Sequence, residues 1–216
     1  MPKVNKTAVC RRCRRAGEKL FLKGEKCLSP KCLIIKRNYC PGVHGVSKRP
    51  RRLTGYGEQL KEKQKAKRVY GLSERQFSNY VRKASRQKGN TAESLLKFLE
   101  LRLDNVIYRL GLSKSRPMAR QAVSHGHFLV NGRKVNIPSY GLKSNQEISL
   151  RQKSLEKGKL FDYLWQAAGK KDIPSWLSLE LDKATRRLTA KVLSFPKIKE
   201  MTVEFDPKKI IEFYSR

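Results

Sequence analysis

The chain has 216 residues, room for one large domain or two small ones, yet only 38% of them are apolar, so part of it should be extended or ordered only by a partner. Its 50 Lys and Arg stand against 18 Asp and Glu, and a net charge of +32 destabilises a compact monomer by self-repulsion unless a polyanion neutralises it, nucleic acid being the commonest. Solubility asks for a net charge of only about 2 to 8 on a small domain, and the absence of a long apolar run, a lipidation signal or an apolar secretory core at the start points away from membrane and export and towards the cytoplasm.

Residues 1–90 carry 26 basic and 5 acidic groups and residues 91–216 carry 24 and 13, which makes the first part the stronger phosphate binder. Residues 1–45 hold all five cysteines and little periodic apolar pattern, as in a small module held by something other than a core. Two residues separate Cys10 from Cys13, four separate Cys27 from Cys32, and thirteen lie between the pairs. Two short-spaced thiol pairs across a loop fit a closed, tetrahedral structural zinc site, and four thiolates leave no open position for catalysis. An iron–sulfur cluster uses the same ligands but implies redox work, for which nothing else in the chain supplies a route. A disulfide framework fits poorly with an odd number of thiols and no secretory signal. Cys40 is then a simple leftover thiol, and His44 reads as a loop residue or phosphate contact.

Residues 46–68 are mostly Lys, Arg, Gly and Gln, a loop leading into a helix. Ser73 and Gln76 match a capping box ahead of an apolar face of Phe77, Tyr80, Val81 and Ala84, which Gly89 ends. Thr91 is expected to cap one long helix whose stripe runs Leu95, Leu96, Leu99, Leu103, Val106, Ile107, Leu110, closed by Gly111. Ser115 caps a short helix through Met118, Ala119, Ala122 and Val123 up to Gly126. The spacing then changes to period two: Phe128, Val130, the turn Asn131-Gly132, Val135 and Ile137 predict a hairpin, with another strand at Ile148 and Leu150. A helix is expected over Leu160–Ala167 and short strands over Trp176–Leu181 and Leu188–Phe195. Asp206 as N-cap and Pro207 at the first helical position open a last helix whose apolar residues, Ile210, Ile211, Phe213 and Tyr214, need a partner surface. The economical reading is α+β, in two parts.

Four blocks of this sequence, LKEKQKAKRVYGLSERQF (Leu60–Phe77), FLELRLDNVIYRLG (Phe98–Gly111), ARQAVSHGHFLVNGRKVNIPSY (Ala119–Tyr140) and IIEFYSR (Ile210–Arg216), resemble the family of bacterial-type small-subunit ribosomal protein four, in its order and spacing. The resemblance covers nearly the whole chain, including the four-cysteine module of the family's zinc-bearing members. It implies a zinc-binding module at 1–45, a helical rRNA-binding domain at 46–99 completed by the last helix within 195–216, an inserted small α/β RNA-binding domain at 100–172, and a strand-rich connection at 173–194. It also implies a structural ribosomal constituent that binds the five-prime domain of small-subunit rRNA, nucleates assembly and supports decoding fidelity. Small-subunit ribosomal protein five is the implied protein partner, and the messenger RNA entry path lies nearby. Two departures stand out: Cys40 where proline is expected, and Pro117 in a normally basic or polar helix start. Residues 157–194 match loosely.

The expected phosphate contacts are Arg11, Arg12, Arg14 and Arg15 in the cysteine module, then Lys48, Arg49, Arg51, Arg52, Lys61, Lys63, Lys65, Lys67 and Arg68. A second face is expected from Arg116, Arg120, Gln121, Ser124, His125, His127, Asn131, Gly132 and Lys134. A-form RNA hides its major groove, so specificity should come from the shape of a folded junction. No catalytic residue and no small-molecule substrate are expected: His125 and His127 have no acidic or nucleophilic partner at a recognisable spacing, and Asp104 reads as an ion-pair or capping residue. An RNA-modifying enzyme would need a catalytic domain for which too little sequence remains, and a zinc-containing DNA regulator would need a discrete recognition helix.

Overall fold

Local signals in the sequence become elements where no distant partner competes for them. The computed structural model describes residues 9–46, 53–152, 154, 173–182, 187–196 and 205–215. They fall into two compact units, Met1–Lys83 with Val203–Arg216, and Ala84–Thr202.

In the first unit, α1 (Val9–Ala16) is followed by two single-turn helices, α2 (Glu25–Leu28) and α3 (Leu33–Lys36). Then comes α4 (Gly55–Val69), opened by Thr54, whose hydroxyl accepts the Gly57 amide at 3.2 Å. α5 (Glu74–Ser85) has the reciprocal capping box: the Gln76 amide donates to Ser73 Oγ at 3.3 Å, and the Ser73 amide to Gln76 Oε1 at 3.2 Å.

The second unit begins with α6 (Thr91–Glu100), where Asn90 rather than Thr91 is the N-cap, its Oδ1 accepting from the Ala92 amide at 2.9 Å. The expected long helix is broken. After α6 the chain leaves helical geometry at Leu101 and Arg102 and resumes as α7 (Leu103–Arg109). The cause is the passing segment 138–142: the Leu103 amide donates to the Tyr140 carbonyl at 2.9 Å, Asp104 to Pro138 at 3.2 Å, and Leu142 to the Leu101 carbonyl at 2.9 Å. α8 (Arg116–Ser124) tolerates Pro117 in its first turn, where an amide has no intrahelical partner, and Ser115 caps it.

Five antiparallel strands follow: β1 (Phe128–Val130), β2 (Arg133–Lys134), β3 (Glu147–Leu150), β4 (Leu177–Asp182) and β5 (Arg187–Val192), in the order β2-β1-β3-β5-β4. Asn131 (φ 49°) and Gly132 (φ 75°) make the two-residue turn, setting Val130 opposite Arg133. β2 is shorter than expected: Val135 packs against the core only in part, and Ile137 is 55% exposed. The strands at 177–192 are not a connection: Ile148 pairs with Ala190, so β5 and β4 complete the same sheet. Along β5, Leu188, Ala190 and Val192 are buried while Arg187 and Lys191 face solvent. They join Leu103, Val106, Ile107, Leu110, Phe128, Ile148 and Trp176 in the core of this unit. The helix expected at Leu160–Ala167 lies outside the described residues.

The last helix, α9 (Pro207–Tyr214), is capped by Asp206, whose Oδ1 accepts the Lys208 amide at 2.9 Å, and it returns to the first unit to pack on α4. Ile210 is fully buried and the Tyr56 and Phe213 rings sit 5.6 Å apart. Among the described residues no helix is long and apolar enough to cross a membrane.

Candidate nucleic-acid interface

α1 places Cys10 and Cys13 three residues apart, Cys27 lies in α2, and Cys32 is the N-cap of α3. Cys13, Cys27 and Cys32 are buried, as are Leu20, Leu22 and Ile34 of the same module, whereas Cys40 is exposed. The Lys23 amide donates to Cys27 Sγ at 3.3 Å. Burial pushes the Cys13 thiol up, a backbone hydrogen bond at Leu20 opposes this, and the nearby Cys27, Cys10 and Cys32 add to the rise, so the four sulfurs feel one another. Among the described residues, no three Cys, His, Asp or Glu side chains converge closely enough to be a formed metal-binding group. Arg14 holds the module's own loop: Nε donates to the Tyr39 carbonyl at 2.9 Å, Nη2 to the Cys40 carbonyl at 3.3 Å, and the guanidinium lies 4.5 Å from the Tyr39 ring centre. Arg11 and Arg15 point to solvent.

The four α4 lysines do not act alike. Lys61 is exposed. Lys63, only 5% exposed, donates to Glu74 Oε1 at 2.8 Å and lies 4.4 Å from the centre of the Phe213 ring. Lys65 is buried in an ion pair with Glu18, and Lys67 donates to Glu74 Oε2 at 2.8 Å. These three therefore tie α4 to its neighbours, a role that sequence reading did not anticipate. Burial alone would pull the Glu74 carboxyl up, but hydrogen bonds from Lys63, Lys67 and Tyr214 outweigh it and hold the pKa at about 2. Arg68 is half-buried; burial first, then the Arg12 and Arg15 charges, push its pKa down, so these three guanidiniums form one positive cluster. Lys48, Arg49, Arg51 and Arg52 lie outside the described residues.

In the second unit, Gln121, His125, Asn131, Gly132 and Lys134 are exposed. Asn131 also serves the fold, since its Oδ1 accepts the Glu147 amide at 2.9 Å and pins the hairpin tip to β3. The Lys134 stem lies where a side chain at Gly126 (φ +71°) would stand. His127 Nδ1 is 3.0 Å from Ser154 Oγ, and its pKa is lowered by burial, then by His125 and Arg151. Ser124 Oγ donates to the Arg120 carbonyl.

The α8 arginines are held from within. Arg116 Nε donates to Asn105 Oδ1 at 2.9 Å and its guanidinium stacks 4.5 Å from the Tyr108 ring centre. Arg120 Nη1 is buried 3.7 Å from Asp104 Oδ2, beyond hydrogen-bond range. Asp104 is an ion-pair residue, taking Arg102 bidentately at 3.1 and 2.7 Å. Glu100, 1% exposed, accepts Arg109 bidentately and the Asn105 side chain.

Reading by sequence blocks missed cations that the structure places on surfaces: Arg151, just past β3, whose amide donates to the His127 carbonyl at 2.9 Å, and Arg75, Arg82 and Lys83 on α5. Their helical spacing was the available signal for the latter.

Together these features define a cationic α+β protein with surfaces suited to a polyanion. The sequence matches the ribosomal protein S4/S9 N-terminal domain over residues 4–100 and the S4 domain over residues 101–148. It is 48% identical to small ribosomal subunit protein uS4 of Syntrophomonas wolfei, 49% identical to uS4A of Clostridium acetobutylicum and 49% identical to uS4 of Pelotomaculum thermopropionicum, in each case covering 97% of both chains. The chain belongs to the ribosomal protein uS4 family.

Proposed function

We propose that the chain is a structural, non-enzymatic constituent of the small ribosomal subunit that binds small-subunit rRNA. The observation that carries this reading is likeness along 97% of the chain to relatives named for that subunit. Exposed Arg11, Arg15 and Lys61 with the Arg12–Arg15–Arg68 cluster form one phosphate-seeking surface; Gln121, His125, Gly132 and Lys134 form another. The finer reading is a primary binder of the rRNA five-prime domain that nucleates assembly, supports decoding fidelity, touches small-subunit ribosomal protein five and lies beside the messenger RNA entry path, with the small subunit of the cytoplasm, or alternatively of a plastid, as its location. Its support is the four-block resemblance.

One structural zinc ion belongs to this proposal. Cys10, Cys13, Cys27 and Cys32 would hold it, and the donor chemistry fits: four thiols in one small module, three of them buried, with no other thiol in the described module except exposed Cys40. When bound, the ion would staple a module too small to stabilise itself.

Footprinting and affinity measurement on naked small-subunit rRNA test the RNA-binding reading. Protection should cluster at one folded junction, and log affinity should fall with log salt with a slope of order ten; a shallow slope, or equal affinity for an unrelated polyanion, overturns it. Metal analysis should return one zinc per chain, and chelation should raise hydrogen exchange at Cys10–Ile35 without altering the second unit. Metal-free protein with free thiols would remove the zinc.

A further inference from the structure

Arginines around the α6–α7 junction meet its buried polar groups on different terms. Arg102 and Arg109 each donate twice to a buried carboxylate, that of Asp104 and that of Glu100, so their charge is met inside the protein. Arg116, at the start of α8, donates through Nε to Asn105 Oδ1 at 2.9 Å, and an amide cancels none of its charge. Asn105 is 1% exposed, and its orientation is forced. Nδ2 donates to the Glu100 carbonyl at 3.0 Å and to Glu100 Oε2 at 2.8 Å, which uses both amide protons and turns Oδ1 towards Arg116. Glu100 is itself held by the Arg109 fork. Tyr108, three residues further along α7 and on the same face, completes the seat, its ring centre 4.5 Å from the Arg116 guanidinium.

A partly exposed arginine ordinarily gives up several rotatable bonds when it meets a ligand. Here the direction of Nε and the plane of the guanidinium are set during folding. We infer that Asn105 is a positioning residue for rRNA binding: buried beneath the surface, it acts through Arg116, fixing the guanidinium without drawing on its charge. This rests on the rRNA-binding reading above. Only an amide fills the role, since a carboxylate at 105 would oppose Glu100 and neutralise Arg116, and an apolar side chain would let Arg116 swing free of its seat.

The test measures the affinity of full-length N105A, R116Q, N105A/R116Q, R116K and V106A for naked small-subunit rRNA, beside thermal melts of each. N105A should weaken binding about 2- to 10-fold, the cost of ordering one long side chain at the moment of binding, and R116Q should weaken it further. The double variant should bind like R116Q alone, because nothing is left for Asn105 to position. An Asn105 effect of the same size with and without Arg116 is a general packing effect and overturns the role. V106A opens a cavity in the same helix, so it should lower the melting temperature yet keep parental affinity where it is folded; a loss of affinity equal to that of N105A overturns the inference. R116K tests the same point without touching the core. It keeps the charge but has no planar fork to seat between Asn105 and Tyr108, so it should bind more weakly than the parent, and parental affinity would sink the idea. R116Q with parental affinity overturns the positioning role while leaving rRNA binding by the chain intact, whereas a parent with a shallow salt slope removes both.

Discussion

Glu74 gathers Lys63, Lys67 and the Tyr214 hydroxyl, the last at 2.7 Å, onto one carboxylate. Its folded pKa of about 2 lies below the ordinary 4.5, so its contribution to stability is fully present above 4.5 and is lost as pH falls through about 2. Thermal melts across that window should show the first unit weakening with acid, and Glu74→Gln should flatten the dependence while lowering stability at neutral pH. Lys63 and Lys61 divide in the same way. Lys63→Ala should lower the melting temperature by removing a buried partner, whereas Lys61→Ala should leave melting unchanged and weaken RNA binding. The sequence made these lysines look equivalent because what separates them is remote: Glu74, Phe213 and Glu18 set the roles of Lys63 and Lys65 from other elements. Asn131 was legible for its turn but not for its bond to β3, for the same reason.

Elements governed by neighbours in sequence were readable in advance. The Ser73–Gln76 box, the Ser115 and Asp206 caps and the Asn131-Gly132 turn all form as their residue types dictate. The break between α6 and α7 was hidden, since an unbroken apolar stripe runs through it and the interrupting hydrogen bonds come from Pro138, Tyr140 and Leu142. That junction is also where the buried ion pairs concentrate. Removing one partner of a buried ion pair is strongly destabilising, so Asp104→Ala, which takes away the bidentate carboxylate from Arg102 at 2% exposure, should cost about 3–5 kcal/mol in chemical denaturation. Deleting charge on the open surface of β5, as in Lys191→Gln, should fall within about 0.5 kcal/mol of the parent.

At the scale of the whole molecule, α9 closes a unit whose other helices lie far earlier in the chain. Lys209 pairs with Glu58, Gln59 donates to Glu212, and the Asp206 amide donates to Glu62, all at 2.8–3.0 Å. Truncation after Phe205 should therefore accelerate hydrogen exchange throughout α4 and α5 and leave the sheet of the second unit protected; equal loss in both units would refute this independence. The sequence announced α9 as an amphipathic helix in want of a partner, but only likeness to a family indicated which partner.

The Gln59–Glu212 bond spans 153 positions. At ordinary synthesis rates of about 5–20 residues per second, α4 emerges on the order of ten seconds before the helix that covers it. Through that interval Phe77 and the Lys63 side chain lack their aromatic lid, while the residues that build the second unit emerge and can fold. A nascent copy thus carries a temporarily uncovered flank beside a module whose residues have all been made, so the first unit's core closes only once its last helix has been synthesised.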